Sequence, residues 1–220
     1  MLEKKIFRGS SDCLKSVDKK YAKYYDVRYN ILSKFDDALI TLNSIYSTKP
    51  ESSCLDIAAR ISNPTVVDLF CGIGGLSIAA ARYGKHVIAI DNSASELIAL
   101  RHNADLYGVS EKIRTLRINL NPSKLSSLFD YGDSLIIDPP WNGDGKSKYL
   151  AKACFQFEDF GSLGIIISTL ISTKLNKQII LCAPRNFDRE KISECRREYH
   201  IFEHESEKRE PFLSIEFPAS

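Results

Sequence analysis

The sequence predicts a doubly wound α/β fold: a mostly parallel seven-stranded sheet with helices on both faces. Three observations carry that reading. Short apolar runs alternate with stretches of helical spacing from Thr65 onward, the pattern of a parallel sheet covered on both sides. Runs ending at Asp68, Asp91 and Asp138 each close on a carboxylate, and ligands of such sheets bind beyond the carboxyl ends of the strands. The last segment alternates apolar and polar residues around a charged turn, as a hairpin added at the sheet edge would.

In chain order, residues 1–17 read as a loose tail, with a loop at Gly9-Ser10-Ser11-Asp12. Residues 19–42 have helical character, with Tyr21, Tyr25, Tyr29, Leu32 and Phe35 on related faces. A second helix over 55–61 leads to Pro64. Strands then fall at 65–69, 86–90, 113–118, 134–137 and 178–183. Helices between them fall at 76–83, 94–106, near 123–129, and over 149–175. The closing hairpin takes 198–203 and 212–217. The chain thus divides into a tail (1–17), a helical extension contributing to the site (18–62) and the main domain (63–220).

Composition narrows the function classes. At 220 residues and 44% hydrophobic, the chain builds one full α/β domain with a modest extension. No apolar run is long enough to span a bilayer, and the N-terminus has no apolar leader core. Six dispersed cysteines without a C-x-x-C pair argue against a zinc knuckle or a disulfide framework. A net charge of +2 is not the field of a strong nucleic-acid binder. Basic residues still cluster at Lys15, Lys19, Lys20, Lys23 and Arg28, and again at Lys146, Lys148 and Lys152. Solvated faces account for such runs; as a rim around a site they would meet phosphates.

The motifs point to a nucleoside-linked amino acid. Val66-Val67-Asp68-Leu69-Phe70-Cys71-Gly72-Ile73-Gly74-Gly75 is a strand ending in a carboxylate and a glycine-rich turn. The acid precedes the turn, which suits a cationic amino-acid end better than a diphosphate. Asp91, at the end of the second strand, is placed for ribose hydroxyls. Together they describe S-adenosylmethionine. Asp138-Pro139-Pro140-Trp141 suits an exocyclic amine: a carboxylate and a proline-flanked carbonyl accept its two N–H bonds, and the ring stacks on the base. Each piece has a purely structural reading too: Asp68 as a turn cap, Asp91 as a helix N-cap, the prolyl motif as a rigid turn with a core tryptophan. Their order in one α/β chain favours the joint functional reading.

Those residues, with others, resemble the trimethylguanosine synthases, methyltransferases of the RNA cap, over roughly residues 19–190. Residues 23–37, KYYDVRYNILSKFDD, are similar to that family's KYWxxRYxLFSRFDD; Asp68 to Gly75 to DAFCGVGG; His102 to Gly108 to NNAEVYG; Pro184-Arg185-Asn186 to PRN. The resemblance implies a Rossmann-like class I methyltransferase fold and methylation of guanine N2 on a 7-methylguanosine cap, once or twice. It implies that Lys49, Asp68, Phe70, Gly72, Gly74, Asp91, Asn119 and Asp138 bind S-adenosylmethionine. It also implies cap contacts from Lys23, Ser47, Asn103, Pro140, Trp141, Tyr149 and Arg185, Lys23 and Arg185 meeting the phosphates. The resemblance further implies that Asp138, Pro139 and Trp141 carry the reaction, in a monomeric nuclear enzyme acting on capped RNA, with no metal and no membrane. The sequence departs from the family at Asp138, where it has serine, at Lys49, where it has threonine, and at Leu32, where it has phenylalanine. The Trp141-Asn142-Gly143-Asp144 run also differs, and the tyrosine that follows is displaced to Tyr149. Two other functions share the prolyl motif or the fold: amino methylation of another base (guanine N2 of ribosomal or transfer RNA, adenine N6 of DNA), and cap binding without catalysis.

Overall fold

A computed structural model of the chain describes residues 5–11, 24–119, 132–141, 162–174, 176–205, 209 and 211–219. The expected helix near 123–129, the 149–161 part of the next one, and Lys23 and Tyr149 lie outside the described residues.

A seven-stranded sheet forms the centre. Its strands are β3 (Thr65–Leu69), β4 (His86–Asp91), β5 (Ile113–Arg117), β6 (Ser134–Ile137), β7 (Gln178–Pro184), β8 (His200–His204) and β9 (Phe212–Phe217). They lie in the order β5-β4-β3-β6-β7-β9-β8. The first five pair in parallel, while β9 runs antiparallel to both β7 and β8. The doubly wound fold and the closing hairpin therefore form as the sequence predicts. Chain order reverses between β3 and β6, so the crevice opens at their carboxyl ends.

Alternation along the strands divides the core into two layers. Val67, Leu69, Leu135, Ile137, Ile179 and Leu181 pack on one face against α6 (Ser162–Thr173) and α7 (Arg189–Ser193). Val66, Ala89, Ile136, Ile180 and Cys182 pack on the other, against α3 (Glu51–Ala59), α4 (Gly75–Arg82) and α5 (Ala94–Leu106). Successive side chains of a strand point to opposite faces. Asp68 therefore shares the face of Val66, under α4.

The N-terminal part departs from the sequence reading. Residues 19–42 do not form one helix: α1 (Arg28–Ile31) stops at Leu32, a short 3-10 turn follows, and Leu39–Thr41 is strand β2. Its partner is β1 (Ile6–Arg8), which the sequence places in the loose tail. Gly9 permits that pairing by close approach, since a Cβ there would lie 1.7 Å from the Phe35 carbonyl oxygen. Gly9→Ala should cost about 1–3 kcal/mol by forcing the two segments apart. A lower urea midpoint with an unchanged slope would register it, and a wild-type midpoint would refute the close contact.

Two helices carry the chain from β2 to the crevice. Thr41 caps α2 (Leu42–Ser47) in a reciprocal box with Ser44. Arg209 donates to the Ile45 and Thr48 carbonyls at the other end of α2. Glu51, at the start of α3, accepts from Ser33 N at 2.6 Å, Tyr107 Oη at 3.1 Å and Arg82 at 2.5 Å. Lys49 and Pro50 are thus fixed from both sides at the edge of the crevice.

Candidate active site

The glycine-rich turn after β3 holds unusual backbone. Phe70 has φ 65° and Gly72 and Gly74 have φ 53° and 98°. Glycine adopts such angles without cost; a bulky residue such as Phe70 does so only where surrounding structure enforces it, and such outliers cluster at ligand sites. Cys71 N donates to Ile90 O, and Gly72 N to Asp91 Oδ2 at 3.0 Å, so the turn is tied to the end of β4. A Cβ built on Gly72 meets nothing within 4 Å, which leaves a ledge open to a ligand.

Asp68 is fully buried. Its Oδ2 accepts from Ser77 Oγ of α4 at 2.5 Å, whereas Oδ1 has no hydrogen-bond partner among the described residues. Burial pushes its carboxyl up to about 7, Ser77 holds it back, and Asp138 and Asp91 add to the rise. A buried acid with an open acceptor oxygen calls for a cationic partner. The ammonium of an amino acid fits, so Asp68 and the Gly72 ledge suit S-adenosylmethionine.

Asp91 already accepts from Gly72 N and from Ser93 N at 2.9 Å, one bond to each oxygen. Each oxygen keeps a further lone pair for a ribose hydroxyl. Asn119 is exposed just past β5, and its neighbour Ile118 donates to Asp91 O at 3.0 Å. These two expected cofactor residues therefore lie at neighbouring strand ends.

The prolyl motif closes β6 beside that turn. Leu69 and Ile137 are paired across β3 and β6, and Asp138 N donates to Leu69 O. Pro139 is buried and Pro140 exposed. Trp141 is half-buried against both core layers, its Nε1 donating to Cys182 O at 3.3 Å. Asp138 Oδ2 lies 2.5 Å from Lys49 Nζ. That ammonium sits 5.0 Å from the centroids of both the Trp141 and Phe212 rings. Burial works against the Lys49 charge, but Asp138 outweighs it and holds the ammonium above its ordinary value. Burial pushes Asp138 up and Lys49 pulls it back.

Lys49, expected among the cofactor residues, is thus engaged by Asp138. Asn103 also has a different task from the expected reading of the base. Its side chain is fully buried; it accepts from Leu39 N at 2.8 Å and donates to Leu39 O at 3.0 Å and Ile73 O at 3.2 Å. It fastens β2 to the glycine turn, and no donor of its amide remains for a ligand. Ser47 is exposed and bonds back to Asn43 O. Arg185 is exposed just past β7, with Glu205 at 3.1 Å and Glu203 at 3.9 Å. Exposed pairs of this kind are worth about 0–1 kcal/mol, so a phosphate can displace them. Sequence reasoning missed Ser77, Phe212 and Arg209, whose positions depend on long-range packing.

A sequence model described as RNA cap guanine-N2 methyltransferase matches residues 63–209. The chain belongs to that family. It is a methyltransferase, and the cofactor of that reaction is S-adenosylmethionine. The trimethylguanosine synthase of Schizosaccharomyces pombe is 27% identical over 180 residues, or 78% of this chain and 74% of that protein. That of Saccharomyces cerevisiae is 29% identical over 195 residues, or 81% of this chain but only 59% of that protein. Among solved structures, a precorrin-6y C5,15-methyltransferase from Geobacter metallireducens superposes with a TM-score of 0.51 at 16% identity. It covers 79% of this chain and 90% of its own, a likeness of fold alone. Among the described residues, no helix is long and apolar enough to cross a membrane, and no cluster has the make-up of a metal site.

Proposed function

We propose that this protein methylates the exocyclic N2 of the 7-methylguanosine cap of RNA, giving the 2,7-dimethyl cap and, on a second turnover, the 2,2,7-trimethyl cap. The observation that carries the reading is Asp138-Pro139-Pro140-Trp141 closing β6 beside the Asp68 and Gly72 turn, in a chain of this family. Bound at that turn, S-adenosylmethionine supplies a methyl group on a positively charged sulfur.

Asp68 would hold the ammonium of the cofactor and Asp91 its ribose hydroxyls, with Gly72 giving it room and Asn119 available to its adenine. The guanine N2 lone pair is delocalised into its ring, so orientation supplies most of the acceleration. Asp138 and the Pro139 carbonyl accept the two N2–H bonds and turn the amine towards the methyl. Those bonds strengthen as the nitrogen gains positive charge. Its surplus proton then goes to Asp138 or to water. Trp141 stacks on the base, and a 7-methylated guanine adds a cation–π attraction of about 0.5–2 kcal/mol. Arg185 and Lys23 meet the cap phosphates. The setting is a nuclear enzyme working as a monomer on capped RNA, with residues 18–62 completing the site.

The test compares m7GpppG, GpppG and a DNA duplex as acceptors, with products read by mass spectrometry. One and then two methyl additions are expected on m7GpppG, with GpppG a poorer acceptor because it lacks the cation–π part, and none on DNA. Methylation of DNA or unmodified cap in preference to m7GpppG would refute the assignment.

A further inference from the structure

The Lys49–Asp138 pair joins residues 89 apart in sequence at the centre of the site. The two side chains are 6% and 19% exposed. Taking two charges this far out of water is costly, and the pair is weak evidence for stability as such. A neutral pair of similar size would fold at least as well, so its presence asks for a chemical reason.

The geometry offers one. A carboxylate has acceptor sites on both oxygens. Lys49 takes Oδ2, and among the described residues Oδ1 is left for another donor. Without a cation beside it, a buried carboxylate protonates. Its O–H would then point a donor at an amine that also offers donors. Lys49 is itself held firmly: Pro50 follows it, Arg209 grips the preceding Thr48 carbonyl, and Cys54 Sγ donates to Lys49 O at 3.8 Å. The other titratable groups facing the pair are Asp68 of β3, Cys54 of α3, Cys182 of β7 and His204 of β8. Burial pushes the Cys54 thiol up to about 12, raises that of Cys182 well above the ordinary thiol value, and pulls His204 down. Those three are neutral near pH 7, so Lys49 is the cation available to Asp138 among the described residues.

We infer that Lys49 is a positioning residue for methyl transfer: by occupying Oδ2 it keeps Asp138 ionised and presents Oδ1 to the amine. This rests on the acceptor role proposed for Asp138. It also gives the site a specificity. The paired carboxylate accepts from an exocyclic amine but offers no donor to a carbonyl oxygen placed there, so a base edge that presents a carbonyl in place of the amine is turned away.

The test uses the full chain, m7GpppG and S-adenosylmethionine, with kcat followed across the range from about pH 6 to about pH 10 and S-adenosylhomocysteine binding measured by calorimetry. Lys49→Met should lower kcat near neutral pH by about 10²-fold, the loss of one aligned transition-state bond. Activity should return as alkaline pH ionises Asp138, with S-adenosylhomocysteine binding unchanged. Lys49→Arg should restore the wild-type profile. Asp138→Asn alone leaves an unpaired buried ammonium and falls in both stability and kcat. The double variant K49M/D138N removes both charges yet keeps an amide oxygen as acceptor. It should exceed either single variant near neutral pH by about tenfold, with no acid limb from residue 138. Wild-type kcat and pH profile in Lys49→Met would overturn the inference. So would a folded, ligand-binding Lys49→Met that stays inactive at every pH, with a double variant no better than the singles. A wild-type enzyme inert on m7GpppG would instead overturn the cap reading, and this inference with it.

Discussion

Asp68→Asn should abolish S-adenosylhomocysteine binding and, in the same molecule, raise the melting temperature of the ligand-free protein above pH 7. Both effects come from one buried oxygen. Asp68 is fully buried and accepts from Ser77 through Oδ2, while Oδ1 has no partner among the described residues. Burial, more than Asp138 and Asp91, lifts its carboxyl from an ordinary 3.8 to about 7. Below the ordinary value both folded and unfolded chains hold the proton, and Asp68 has no pH effect on stability. As pH rises from there to about 7 the unfolded chain ionises first, so the folded state loses ground. Above about 7 the loss is complete and on the order of a few kcal/mol, since each tenfold change in acidity is worth about 1.4 kcal/mol. Asparagine removes that loss. The melting temperatures of the two proteins should therefore converge near pH 4 and separate by several degrees at pH 8. Ligand binding runs the other way. The ammonium of the ligand pairs with ionised Asp68, so wild-type affinity should climb from pH 5 and level off above 7. Calorimetric titrations at three pH values check this, and an asparagine variant that bound S-adenosylhomocysteine as tightly as wild type would remove Asp68 from the cofactor site.

What was legible in the sequence was local. The strands from Thr65 to Pro184 announce themselves because parallel strands buried on both faces are short apolar runs with abrupt ends. Helix α5 matches its expected bounds, and Ser93 caps its start. The carboxylates at three strand ends converge because the sheet is parallel, and topology alone brings them together. The N-terminal segment was opaque for the opposite reason. Aromatic residues at helical spacing around Tyr25 and Tyr29 hide a strand, Leu39–Thr41, whose only reason to be extended is pairing with Ile6–Arg8. Nothing in the residues flanking Leu39 encodes that partner. The task of Asn103 is hidden likewise: its amide is spent on Leu39, which no helix-local pattern reveals. The Lys49–Asp138 pair did carry a signal. Both positions depart from the resembling motif, with opposite charges, and two such departures are more easily explained as one contact than as two accidents.

Trp141→Ala should drive cap methylation below detection while leaving S-adenosylhomocysteine binding intact. The ring is anchored, with Nε1 on Cys182 O and the Lys49 ammonium on one side. It is only half-buried, so part of the residue stays accessible beside Asp138. Stacking of a base on such a ring is worth about 1–3 kcal/mol, and the positive charge of 7-methylguanine adds to it. That contribution alone corresponds to a loss of roughly 5- to 150-fold in kcat/KM. The larger effect is on orientation, since a base free to tilt no longer keeps N2 aligned with Asp138 and the methyl donor. A Trp141→Phe variant separates the two readings of the residue. If the ring serves the base, phenylalanine should keep measurable turnover with a raised KM for m7GpppG, and GpppG should suffer less than m7GpppG because it lacks the cation–π part. If the ring merely fills the core, both substrates should fall together, in proportion to a lowered melting temperature. Full activity in Trp141→Ala would place the cap elsewhere in the crevice. The substrate split matters more than the loss itself, because truncating any large half-buried ring weakens an enzyme, but only a stacking ring distinguishes a charged base from a neutral one.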